Sequence, residues 1–158
     1  MSYKNYATAM EKAVECDGYD AGSGVSDETI MKAEKLLGVS LSRQLKDYLH
    51  NYGWLEFFGV ELYGIFDDDF SCAEIEGCIV EWALSERKSN GLDTKWIPIR
   101  FEDDGSMAFL DYGHINSEGE PPVICAVLTD DGYEFQSELA DDLGEYLLDL
   151  VNDQLEDQ

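Results

Sequence analysis

The chain is expected to fold as a single α+β domain spanning residues 1–158, and three observations predict it. Amphipathic helical patterns occupy the first third of the sequence and its last twenty residues. Short alternating segments separated by tight-turn signals occupy the middle. At 158 residues, 44% of them hydrophobic, the chain can bury one core but not two, and is too apolar for a disordered acidic segment. The segregated order of helices and strands favours a mainly antiparallel sheet with helices packed on it, ending in a long C-terminal helix. Helices largely on one face would leave the other to solvent or to a partner.

The elements follow in order. A first helix is predicted over 3–16, with Tyr6, Met10 and Val14 spaced four apart. Three glycines make 17–24 a loop. Ser26 is an N-cap, followed by Asp27 and Glu28 where the helix dipole favours them. That helix presents Ile30, Ala33 and Leu37 and ends at Gly38. Ser42 caps a third helix whose stripe is Leu45, Tyr48, Leu49 and Tyr52. Residues 54–58 and 60–65 read as short extended segments, and 75–88 as a helix with Ile79, Ala83 and Trp82 inward, stopped by Asn90-Gly91. Strands are predicted at 96–101, 107–112 and 123–128, with Asp103-Asp104-Gly105 turning the first hairpin and Pro121-Pro122 leading into the third strand. A brief strand at 133–135 precedes a final helix from about Ser137, with Leu139, Leu143, Tyr146, Leu147, Leu150 and Val151 on its apolar face.

Thirty-five acidic residues oppose ten basic ones, a formal net charge of −25. Phosphate contacts need Lys and Arg, so direct binding of nucleic acid or of an anionic membrane is not expected. The imbalance suits a basic partner or a solvated surface. The four cysteines form no CxxC pair and read as reduced structural thiols, Cys78 and Cys125 in apolar surroundings. The N-terminus lacks the apolar run of a signal peptide and no 18-residue apolar stretch occurs, so a cytoplasmic protein is expected.

Several fragments are similar, in order, to the SMI1/KNR4 (SUKH) family, bacterial immunity-protein type. They are Ile30-x-x-Ala-Glu-x-x-Leu-Gly38-Val-x-Leu41, Leu45-x-x-Tyr48-Leu49-x-x-Tyr52-Gly53 and Glu61-Leu62-Tyr63-Gly64-Ile65. Trp96-Ile97-Pro98-Ile99, Gly105 to Asp111, Pro122-Val123-Ile124 and the terminal helix extend the resemblance over about residues 26–155. Ser42 stands where the family often has Pro, and Trp54 where a second Gly is usual. The resemblance implies an immunity protein that neutralises a toxin domain, often a nuclease, without chemistry of its own. The same fold also serves as a regulatory scaffold for endogenous partners.

Acidic clusters at Asp67-Asp68-Asp69, Glu102-Asp103-Asp104, Asp130-Asp131 and Asp141-Asp142 would pair with the Arg and Lys with which a nuclease grips phosphate, or would simply hold water. Tryptophans anchor interfaces, and Trp54 is the first aromatic candidate, Trp82 the second; packing in the core is the competing reading for both. Of Phe57 and Phe58 one should point inward and one outward. The residues expected at the partner surface are Trp54, Glu56, Glu61, Asp67, Asp68, Asp69, Asp103 and Asp104. No window supplies an EF-hand loop, and no nucleotide-binding or nucleophile motif occurs. His50, off its helix's stripe, and His114, in a loop, suggest no triad. No cofactor, metal or catalytic residue is expected, and a monomer is favoured. A salt-rich cytoplasm would also explain the acidity, and a carboxylate-pair hydrolase is the remaining alternative.

Overall fold

The computed structural model describes residues 2–67, 70, 78–102 and 104–156. Among these residues five helices and seven strands follow one another as α1 (Ser2–Ala13), β1 (Asp20–Ala21), α2 (Asp27–Leu37), α3 (Arg43–Asn51), β2 (Leu55–Phe57), β3 (Val60–Leu62), α4 (Ile79–Asn90), β4 (Trp96–Phe101), β5 (Met107–Asp111), β6 (Val123–Thr129), β7 (Gly132–Ala140) and α5 (Leu143–Glu156). The α+β class holds, with antiparallel pairing throughout the named strands and a C-terminal helix.

The strands form two sheets rather than one. β1-β2-β3 is a small three-stranded sheet and β4-β5-β6-β7 a four-stranded meander. They adjoin where the Tyr63 N–H donates to the Ile99 carbonyl at 2.8 Å. The larger core lies among α1, α2, α3, α5 and the Ala108–Leu110 face of the meander. The opposite face is not left open as expected. Leu92, Met107, Phe109, Ile124 and Ala126 form a second cluster there, and Trp82 from α4 packs on it. Trp82 is therefore a core residue: its ring lies about 6 Å from those of Tyr63, Phe109 and Tyr133.

Local chemistry explains most boundaries. The Ser26 hydroxyl accepts the Thr29 N–H at 3.1 Å, and Gly38 closes α2 in the left-handed conformation. On α1 the buried residues are Tyr6, Ala9, Met10 and Ala13, the i, i+3, i+4, i+7 set, whereas Val14 lies past the helix end and is exposed. Cys16 and Cys78 are buried and Cys125 half-buried, none of the three in a disulfide. Burial pushes the thiols of Cys16 and Cys78 up, away from reactivity.

The predicted start of the last helix is corrected. Residues 137–140 belong to β7, which pairs with β6 along its length, and Leu139 is a strand residue. The helix begins after Asp142, whose carboxylate accepts the Glu145 N–H at 2.8 Å. Asp142 is buried, so it caps a helix and meets no partner.

α3 is capped differently from the expectation. Ser42 holds the N-cap position, yet its hydroxyl bonds the Tyr112 hydroxyl at 3.1 Å. The acceptor for the Gln44 N–H is instead the Glu120 carboxylate, at 3.4 Å. Glu120 is buried, and that burial raises its pKa, with Asp142 adding to the effect against opposing bonds from Ser42 and Gln44. A carboxyl raised in the folded state contributes its full stability below its unfolded value and loses it as pH climbs through the folded one. Glu120→Gln keeps an acceptor for Gln44 and removes the buried charge. Its urea midpoint should match the parent at pH 4 and exceed it at pH 8; equal midpoints at both pH values would refute the charged-burial argument.

Candidate partner-binding face

Two sequence-predicted carboxylates, Glu56 and Glu61, come together on the outer face of the three-stranded sheet, with Trp54 alongside. Along β2 the inward side chains are Leu55 and Phe57, so Glu56 points outward; along β3, Val60 and Leu62 turn inward and Glu61 outward. Register sets Glu56 directly opposite Glu61. Asp20 on β1 lies directly opposite Glu56 on its other side. The result is a row of three carboxylates across three strands. No cation pairs with Glu56 or Glu61 among the described residues. Like charges facing one another across strands destabilise a sheet, by roughly 0.2–1 kcal/mol per pair.

Aromatic side chains border the row. Half-buried Trp54, just before β2, stacks on Phe66 with centroids 6.3 Å apart. The backbone beneath is closely packed: a Cβ on Gly22 would meet the Trp54 indole nitrogen at 2.5 Å. Asp67 follows Phe66 in the chain and is exposed.

Phe58 stands at the tip of the β2–β3 hairpin. Phe57 pairs with Val60, leaving a two-residue loop in which both Phe58 (φ 51°) and Gly59 (φ 81°) have positive φ. That is the geometry Asn-Gly adopts with least strain. Phe57 is fully buried while Phe58 is 39% exposed, which resolves the inward–outward choice for the pair. The Phe58 N–H is anchored to the Asp17 carbonyl at 2.6 Å. Phe58→Asn should raise stability by about 1 kcal/mol, read as a higher thermal midpoint. A drop would mean that packing of the ring outweighs the strain.

The other expected residues lie elsewhere. Asp104 is in the β4–β5 turn, in the other sheet. The Ser106 hydroxyl and N–H bond its carboxylate at 2.6 and 3.0 Å and hold its pKa below the usual range. Asp68, Asp69 and Asp103 lie outside the described residues. Glu102 is engaged internally, paired with buried Arg100 and accepting the Tyr146 hydroxyl at 2.7 Å. A cleft of about 270 Å³ opens beside it, between that turn, β7 and α5, with Asp104, Asp149 and Asp153 on its rim.

Asp20 gives no signal in the sequence, because a two-residue strand carries no alternation to read. His50 is exposed with its Nδ1 3.3 Å from Asp27, and exposed His114 bonds the Asp111 carboxylate at 2.7 Å. Among the described residues no three His, Cys, Asp or Glu side chains converge to hold a metal. No helix among them is long and apolar enough to cross a membrane. What this face offers is recognition: a row of anions with no cation paired to them among the described residues, beside aromatic surface and suited to Arg and Lys.

A family profile described as SUKH_5, SMI1-KNR4 cell-wall, matches residues 7–152, extending the similarity through the first helix. No curated protein matches the chain.

Proposed function

The chain belongs to the SMI1-KNR4 (SUKH) family, and from that premise we propose that it is a cytoplasmic immunity protein. Proteins of this family are commonly immunity or scaffold proteins rather than enzymes. In our reading it binds a cognate toxin domain of a polymorphic or contact-dependent system, a basic nuclease, one to one. The outer face of the three-stranded sheet covers the surface that the nuclease uses to hold phosphate. Charge pairs set encounter rate and specificity, and Trp54 with Phe58 supplies apolar contact.

The observation that carries this reading is the Asp20–Glu56–Glu61 row. Three opposed carboxylates with no cation paired to them among the described residues weaken the sheet, and a partner's cations would relieve that cost. A solvated surface needs acidity, but not acidity aligned in one register beside a stacked tryptophan. The net charge of −25 extends the same attraction to longer range.

Co-expression tests the proposal. The C-terminal domain encoded by the gene immediately upstream is produced in one host with and without this protein. Killing by the domain alone and growth with both is the expected result. A harmless domain, or killing regardless, removes the cognate-immunity reading and leaves the scaffold role with an endogenous partner.

A further inference from the structure

A second surface, in the four-stranded sheet, carries an inference that stands whether or not the partner is a toxin. Register aligns Phe101, Met107, Ala126 and Phe135 in one row across all four strands. Directly opposed residues share a face, so the four side chains lie on the same side of the sheet. The two inner members are buried, but Phe101 and Phe135 at the ends are 56% and 53% exposed. Leu128 pairs with Tyr133 on that face, diagonal to Phe135, and is 46% exposed. Isolated exposed apolar residues are ordinary; three large ones on one end of one sheet face are not.

The surroundings specify the occupant. β4 ends and β5 begins at this end of the sheet, as do β6 and β7, so both hairpin turns border the patch. The second brings exposed Asp130 and Asp131, and neither turn contains a basic residue; Asp104 of the first turn lines the cleft on the α5 side. Glu138, opposite Ile124, adds a third exposed carboxylate, on the same face as Phe135. An apolar centre with a polar rim is the anatomy of a protein interface, and here Asp130, Asp131 and Glu138 make the β6–β7 side of the rim acidic. A second copy of the chain would set acidic rims against each other at a net charge of −25 apiece. An anionic membrane is repelled likewise. The free edge of β7 is a poor template for strand addition, because it carries two register shifts with Glu134 and Glu138 along it. We propose that the Phe101–Phe135 face is a docking surface for a protein with an apolar centre and a basic rim.

Two peptides of equal charge serve as probes: an amphipathic helix of leucine and lysine, and oligolysine. Each is titrated into the ¹⁵N-labelled protein. The amphipathic peptide should perturb amides of the two hairpins and bind more tightly than oligolysine. F101S/F135S should weaken it by about tenfold or more while leaving oligolysine unaffected. D130K/D131K/E138K, which leaves the apolar row intact, should weaken both. Equal affinities for the two peptides, perturbations spread evenly over the molecule, or indifference to F101S/F135S would overturn the proposal. A dimer in sedimentation equilibrium that disappears in F101S/F135S would overturn it in favour of a second copy.

Discussion

Glu56→Lys should give a protein that is more stable and docks worse. Glu56 is the middle carboxylate of the row, with Asp20 on one side and Glu61 on the other. A lysine there turns two repulsive cross-strand pairs into two attractive ones. Exposed pairs contribute a few tenths of a kcal/mol each, so the sum is about 1 kcal/mol. In a chain of this length that raises the thermal midpoint by roughly 2–4 °C. Against the proposed basic partner the sign reverses. A cation at the centre of the face meets the partner's cations, and loss of an interfacial charge pair costs about 2–5 kcal/mol, or on the order of 100-fold in affinity. Salt dependence of the association rate should fall as well. The combination is diagnostic, since a residue kept for the fold does not become stabilising when its charge is inverted. Undiminished binding by Glu56→Lys would move the docking site off the three-stranded sheet. A less stable variant would mean that the glutamate has a structural role after all.

Much of this fold is legible where side chain and backbone act within one turn. Ser26, Gly38 and Gly91 mark helix ends by chemistry confined to a few residues, and the structure uses them as the sequence predicts. Ser42 looks the same in sequence but fails as a cap, because its hydroxyl is taken by Tyr112, seventy residues away. The β7–α5 boundary is hidden in the sequence for another reason. Leu139 and Leu143 stand four apart, so the helical period appears to continue backwards into the strand. The signal that separates them is Asp142-x-x-Glu145, in which Asp142 accepts the Glu145 N–H. For the docking face, the carboxylates of Glu56 and Glu61 are visible as charge. Their alignment is not, because it depends on a two-residue loop at Phe58-Gly59 in which phenylalanine stands where the Asn of an Asn-Gly turn would announce a hairpin. Asp20 joins the row only through pairing with a strand thirty-five residues on.

Gly64→Ala should be a severely damaging change near that face. Gly64 belongs to the Glu61-Leu62-Tyr63-Gly64-Ile65 segment that resembles the family, and its geometry supplies a reason for the glycine. A Cβ built there lies 1.8 Å from the Gly53 carbonyl oxygen and 3.1 Å from the Trp54 Cα. The obstruction is backbone, which cannot swing aside as a side chain does. It is also held on every side. The Gly53 carbonyl accepts the Ile65 N–H at 2.9 Å, the Gly53 N–H donates to Tyr48, and the Gly64 carbonyl accepts the Ile79 N–H at the start of α4. Making room means parting the end of β3 from the Gly53–Trp54 turn and giving up the Ile65 bond. Overpacking of this kind costs about 3 kcal/mol or more, a fall of roughly 6–12 °C in thermal midpoint. Because the displaced turn carries Trp54, affinity for the partner should fall with it. Gly91→Ala is the control. Gly91, unlike Gly64, has positive φ, 65°, and nothing lies within 4 Å of its Cβ position, so only the left-handed conformation is penalised, by about 1 kcal/mol. A Gly64→Ala variant as stable as Gly91→Ala would show that the two backbone segments do not approach as closely as 1.8 Å implies. The larger loss, accompanied by weaker docking, would tie the glycine of the family segment to the placement of the tryptophan beside the acidic row.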